Sequence, residues 1–146
     1  EVRRVANMEM DCPKCWGKNK TCVRCGGDGK CPDVQLSPHF RLSELLASNT
    51  AKSKGLDNDP SPEVLANLKN LCIHVLEPIR AKVGPLKINS GYRSDPVNDA
   101  VGGSKTSAHS YGLAADLHPA HGCKKLMNDI IASGVPFDFI QPQKRG

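Results

Sequence analysis

The chain has 146 residues, 38% of them hydrophobic, 24% charged and only 4% aromatic, with a formal net charge of +5. That composition suits one soluble globular domain, or one domain plus a small appendage, with a core built from Leu, Ile, Val and Ala. It excludes a membrane span, for which no apolar run approaches the roughly 20 residues needed, and does not indicate a specific nucleic-acid site: outside the N-terminal cluster the basic residues are scattered and read as a solvated surface, with weak attraction to an anionic polymer such as cell wall or nucleic acid the alternative.

Residues 1–10 carry no clear signal, and no signal-peptide core is visible. The first residue is Glu1 rather than Met, which leaves room for a leader or precursor segment before it. Residues 11–33 are rich in Cys, Gly and Lys, with Lys18, Lys20, Arg24 and Lys30 clustered there, and hold too few large apolar groups to fold unaided. The composition becomes ordinary from Leu42 onward. This places a boundary near 32–36, dividing the chain into an N-terminal module, residues 1–35, and a domain, residues 36–146. Residues 34–41 read as a short connection and Leu42 to Ser48 as a short helix. Residues 49–61, with Gly55, Asn58, Asp59 and Pro60, read as a loop.

Ser61-Pro62-Glu63 is a helix start, with Ser as N-cap, Pro at the first helical position and an acid in the first turn. Leu65, Leu68, Leu71, Cys72, Val75, Leu76 and Ile79 recur at helical spacing and form an apolar face. Pro78 should kink or split this helix, and Gly84-Pro85 should end it. Leu86 to Ser90 alternates as a strand does. Gly91 to Ser107 reads as loop, Leu113 to His118 as a second strand, and residues 123–133 as a helix stopping at Gly134. Val135 to Gln141 reads as a third strand or its approach. Helices around a small sheet make the fold class α+β.

Five of the seven cysteines lie in residues 12–31. The odd total and the clustering favour metal binding over a disulfide framework. Cys12-Pro13-Lys14-Cys15 and Cys22-Val23-Arg24-Cys25 are consecutive C-x-x-C units, each able to place two thiolates on one side of a tight turn. Two units supply the four sulfurs of a closed, structural zinc site. The alternative, a redox dithiol, lacks a surrounding thioredoxin-like unit. The segment resembles the C-x-x-C-x-G-x-G repeats of DnaJ-type zinc domains, with Asn19 in place of a Gly and two units rather than four. Cys31 is a spare ligand or a free thiol. Cys72 reads as a small core residue and Cys123 as a buried or half-buried thiol.

His109 and Asp116 are seven residues apart, with Gly112 between them arguing for a loop that runs into a strand. Imidazole nitrogen and carboxylate oxygen suit zinc, and a loop folded back over its own strand can bring both to one ion; on spacing alone, a surface His and a solvated Asp is the commoner reading. The pattern Ser107-x-His109-x-x-Gly112-x-Ala114-x-Asp116 resembles the zinc signature of the D-Ala-D-Ala carboxypeptidase family, the hedgehog-type zinc peptidases that include phage endolysins and bacterial dipeptidases. The likeness extends to Ser90-Gly91-Tyr92-Arg93-Ser94, Val97-Asn98 and Val101-Gly102-Gly103. Ser37-Pro38-His39-Phe40 through Leu45, Val75 to Arg80 and Phe137-Asp138 resemble its phage-associated branch. The resemblance covers roughly 36–141. It implies a small antiparallel sheet with helices and a zinc-dependent peptidase acting on peptidoglycan stem peptides. His109 and Asp116 match the first two zinc ligands, and Arg93 matches the arginine that polarises the scissile carbonyl. Ser107 and Tyr92 either line the substrate cleft or serve packing and turn roles. For Arg93 the alternative is a loop-bracing salt bridge.

The family continues into a strand with a general-base Glu and then a Trp-x-His segment carrying the third ligand. Neither is found in Gln141 to Gly146, so the peptidase-like domain is expected to lack its C-terminal strand. His118, which would share a strand face with Asp116, and His121 are candidate substitutes for the third ligand; the alternative for both is a surface residue. His74 reads as exposed and His39 as local capping or packing. Two functional readings follow. One is a phage-encoded zinc D,D- or L,D-peptidase acting at the cell wall. The other is a catalytically incomplete virion or tail component that keeps the fold for structure or cell-wall binding, with other virion proteins as partners.

Overall fold

The computed structural model describes residues 9–136. Its chain order is β1 (Glu9–Asp11), β2 (Lys30–Pro32), β3 (Gln35–Ser37), β4 (Phe40–Arg41), α1 (Leu42–Leu46), α2 (Asn49–Lys54), α3 (Pro62–Leu71), a π-helical segment (Cys72–Leu76), α4 (Glu77–Val83), β5 (Ile88–Ser90), α5 (Asp95–Ala100), a 3-10 turn (Ala108–Tyr111), β6 (Asp116–Leu117) and α6 (Cys123–Ser133). Among the described residues the strands form three antiparallel pairs, β1–β2, β3–β4 and β5–β6. The fold is α+β, as expected.

The long helical region starts as its sequence dictates. Ser61 Oγ accepts the Val64 N–H at 3.2 Å and Pro62 occupies the first turn. Pro78 does not break it. The wider π turn at Cys72–Leu76 lies immediately upstream and gives the proline ring room that a regular helix denies it. Leu68, Cys72, Leu76 and Ile79 are buried along one face, and His74 is exposed. Burial pushes the Cys72 thiol up to about 12, so it behaves as a core group rather than a nucleophile. Cys123 is half-buried at the start of α6.

The main core joins Leu36, Phe40, Leu42, Leu45, Leu46, Leu68, Leu76 and Tyr92 to Met10 and the buried N-terminal cysteines. A second cluster joins Ile79 of α4 to Ile130 of α6 and to Val135. The N-terminal segment therefore packs on the rest of the chain across residues 32–36. Lys52 of α2 reaches Asp11 of β1 at 3.1 Å, and the buried Asp33 carboxylate accepts from Arg41 Nε at 2.9 Å and Ser43 Oγ at 2.7 Å.

Five segments depart from the sequence reading. Residues 34–41 are not a plain connection but the β3–β4 hairpin. The 49–61 loop contains α2, and the 91–107 loop contains α5. The two helices have six residues each, too short for an apolar period to show, and α2 buries only Ala51. Their signals were the punctuation: Ser48 caps α2 by accepting the Ala51 N–H, and Gly55 closes it in the left-handed region. The Leu113 to His118 strand shrinks to Asp116–Leu117, and the Leu42 helix ends at Leu46. The third strand expected over 135–141 lies mostly outside the described residues, as does Phe137-Asp138.

Glu77 ties the hairpin to α4. Its carboxylate accepts from Ser37 Oγ at 2.6 Å and from the His39 N–H at 2.7 Å, and pairs with His39 Nδ1 at 2.7 Å. Burial pushes the Glu77 pKa up, but these hydrogen bonds outweigh it and hold the pKa below 4.5. The depressed folded value means the contribution is full at neutral pH and is lost as pH falls through that value. Glu77→Ala should cost about 1.5–3 kcal/mol at pH 7, the range of hydrogen bonds to a charged group. Urea melts should show this gap narrowing below pH 4.5; a gap independent of pH would contradict it.

Candidate active site

β5 and β6 build the C-terminal site. Ser90 pairs with Asp116 across the ladder, so Asp116 sits opposite the end of β5. Gly91 follows. A Cβ there would meet Leu45 O at 2.5 Å, so only glycine permits this approach to α1. The Gly91 carbonyl is 2.7 Å from His109 Nδ1. A carbonyl only accepts, so Nδ1 carries the proton and donates it. His109 Nε2 is then turned to Asp116 Oδ1 at 3.4 Å, with side chains 12% and 26% exposed. A neutral imidazole in this tautomer presents a lone pair to a carboxylate. A proton or a cation between the two resolves that opposition. A ring nitrogen fixed by a backbone carbonyl, with the other nitrogen free to ligate, is how metal-binding histidines are commonly held.

The turn carrying His109 is capped by Ser107, whose Oγ accepts the His109 N–H at 3.2 Å. Gly112 closes it at φ +73, where a Cβ would meet Val64 O at 2.9 Å. Ser107 Oγ also accepts from Arg93 Nη2 at 3.4 Å, and the Arg93 N–H donates to His109 O at 3.1 Å. Arg93 Nε is buried and makes no hydrogen bond among the described residues. Among those residues Arg93 also makes no ion pair, so the salt-bridge alternative finds no partner there. Tyr92 is 8% exposed, lies in the main core, and donates its N–H to Leu45 O at 2.8 Å. That position favours the packing role over the cleft-lining one.

The structure thus brings together His109, Asp116, Arg93 and Ser107. It does not bring His118 to them. His118 is exposed, its N–H bound to Lys87 O at 2.9 Å, and no group of three ligating side chains forms with His109 and Asp116 among the described residues. The two-residue β6 is too short to hold His118 on the strand face expected of it. His121 is also exposed. One residue passed over as loop punctuation is fully buried beside the site: the Asn58 amide bonds Tyr92 O and the Ser94 N–H, on either side of Arg93. Its only sequence signal was the Asn-Asp-Pro turn composition.

The N-terminal cysteines also converge. The sulfurs of Cys12, Cys15, Cys22 and Cys25 all lie within 4.8 Å of one another. Cys12 and Cys22 sulfurs are 3.9 Å apart, and Cys15 and Cys25 sulfurs 3.6 Å. Tetrahedral zinc with bonds of about 2.3 Å sets sulfurs about 3.8 Å apart. Each C-x-x-C unit is closed by a backbone bond, Trp16 N–H to Cys12 O and Gly26 N–H to Cys22 O, both at 2.8 Å. The Gly29 N–H donates to Cys25 Sγ at 3.3 Å. Burial works against the Cys25 thiolate, but this N–H and that of Gly27 bring its pKa down to about 7. Cys31 is buried against Cys12 but outside the four-sulfur group, and burial raises its pKa. The donor set fits a metal that takes four thiolates.

A family model described as Peptidase M15 matches residues 38–145. No curated protein and no solved structure matches the chain.

Proposed function

The chain belongs to the peptidase M15 family, and on that premise we propose that it is a zinc-dependent peptidoglycan peptidase of the D-Ala-D-Ala carboxypeptidase type. We read it as phage-encoded and acting on stem peptides of the cell wall. The observation that carries this reading is the His109–Asp116 pair, 3.4 Å apart, with the far side of the imidazole fixed by Gly91. In the proposed site these two residues would hold zinc. Zinc bound there supplies Lewis-acid polarisation of a carbonyl and a bound water of lowered pKa. The chain's own groups orient and polarise, and among the described residues no third ligating side chain joins the pair. Gly91 O orients the imidazole. Ser107 holds the turn and one arm of Arg93. The Arg93 guanidinium, whose Nε has no partner among the described residues, would stabilise negative charge developing on the scissile carbonyl oxygen.

In the same reading residues 1–35 form a structural zinc module of the DnaJ-like kind, held by Cys12, Cys15, Cys22 and Cys25, and residues 36–146 form the peptidase-like domain. The test is clearing of a peptidoglycan gel by the full chain, with and without chelator, beside metal analysis. Chelator-sensitive clearing with two zinc ions per chain is expected. No clearing from zinc-loaded protein that still binds cell wall points instead to a catalytically incomplete virion or tail component. Clearing that survives complete metal removal sinks the zinc mechanism.

A further inference from the structure

Residues 56–59 connect the two candidate metal regions. On one side they are held by the cysteine module. The Asn58 N–H donates to Pro13 O at 2.7 Å, inside the Cys12 to Cys15 turn. Trp16 Nε1–H donates to Leu56 O at 2.7 Å. Lys14 pairs with Asp57 at 3.1 Å, and Arg24 of the second C-x-x-C unit pairs with Asp59 at 3.3 Å. On the other side the same residues grip the segment around Arg93. Asn58 Nδ2 donates to Leu46 O at 3.0 Å and Tyr92 O at 3.2 Å, and its Oδ1 accepts the Ser94 N–H at 2.8 Å. Ser94 Oγ donates to Asp57 O at 2.6 Å. Asn58 is fully buried, so no bulk water stands ready to replace a lost partner.

We infer that metal at the cysteine cluster positions Arg93, with Asn58 as the positioning residue that transmits the constraint. Both ends of the connection are short polar bonds on named atoms. The cysteine module has few large apolar groups of its own, so the turn that presents Pro13 O and the Trp16 ring depends on its ligand for order. When that turn loosens, Asn58 loses the bond that fixes its backbone, and its side chain loses its aim at Tyr92 and Ser94. The coupling is energetic and runs through contiguous hydrogen bonds. Its consequence for rate rests on the peptidase reading above; the constraint on the Arg93 segment does not.

Amide hydrogen exchange of the full chain reads this without reference to activity. Three zinc-treated proteins suffice: the parent, the Cys22→Ser/Cys25→Ser double variant, and Asn58→Ala. The double variant empties the cysteine site while leaving residues 12–16 and His109 untouched. Its Asn58 and Ser94 amides should exchange at least about tenfold faster than the loss of global stability, read from the α6 amides, accounts for, the effect of losing one buried hydrogen bond. Asn58→Ala should keep the cobalt–thiolate absorption of the cysteine site and yet show the same acceleration at Ser94. On a peptidoglycan fragment it should lower kcat more than it raises KM, because the misplaced group acts in the transition state. Should the double variant unfold throughout, the milder Cys25→Ser variant takes its place as the metal-weakened protein, and Asn58→Ala tests the Asn58–Ser94 link. A Ser94 amide that stays protected in Asn58→Ala, or in a folded double variant, overturns the inference. A parent chain that hydrolyses nothing refutes the peptidase reading and leaves the exchange result standing on its own.

Discussion

His109→Ala is expected to abolish peptidoglycan hydrolysis, lowering kcat/KM by at least about 10³-fold, on the scale of losing an essential electrostatic group. It should also remove one of two zinc ions per chain and leave the fold intact. The expectation follows from where the ring stands. His109 is 12% exposed, its Nδ1 is spent on Gly91 O, and its Nε2 has Asp116 in front of it. Alanine removes the nitrogen that faces Asp116 and the bond to Gly91 O, while the turn stays held by its backbone and by Ser107. The stability cost should stay near that of one hydrogen bond, about 1 kcal/mol. Asp116→Asn keeps the shape and loses the charge, so it should weaken metal binding nearly as much. Arg93→Lys keeps charge but not the planar fork, and should cost about 10²-fold in kcat with metal content unchanged. A His109→Ala protein that still binds two zinc ions, or clears peptidoglycan at the parent rate, would refute the assignment.

Cys12→Ser should have the largest effect on stability. Cys12 is fully buried and belongs to the same apolar cluster as Met10, Leu36, Phe40, Leu42 and Leu45. A weakened metal site there is not confined to a dangling appendage. Four-thiolate zinc sites in small modules contribute on the order of 10 kcal/mol to folding at neutral pH. A serine hydroxyl left unpaired in that setting adds about 1–3 kcal/mol of penalty. The expected result is a fall in Tm of at least about 10 °C, given roughly 2–4 °C per kcal/mol for a chain of this size. Chelator should produce a similar fall in the parent and little further change in the variant. Differential scanning calorimetry with and without chelator measures both. A variant melting within about 2 °C of its parent would exclude a structural metal at these cysteines.

Much of the molecule was legible in its sequence because the relevant information was local. The two C-x-x-C units, the Ser61-Pro62 helix start, the apolar face from Leu65 to Ile79 and the Gly134 stop each depend on neighbours a few residues away. The same is true of Ser107 capping the turn that bears His109. Other features depended on distant partners. The π segment answers Pro78 and the core together. The β3–β4 hairpin is held by Glu77, some forty positions downstream, and α2 and α5 are too short to announce themselves by period.

The sequence by itself set out the candidate donor atoms: four thiolates in two tight turns, the His109 imidazole with His118 and His121 beside it, one carboxylate and one guanidinium, in an order that resembles a zinc peptidase. Only the tertiary structure decided how they are aimed. Gly91 meets α1 with no room for a side chain, and its carbonyl turns His109 toward Asp116. His118 is left in solvent because β6 ends before it. Asn58, read from sequence as a turn residue, is buried between the cysteine module and Arg93. The physical reason is the same in each case. Residue type and spacing specify which hydrogen bonds and ligands are available, whereas burial and chain crossing select which of them form.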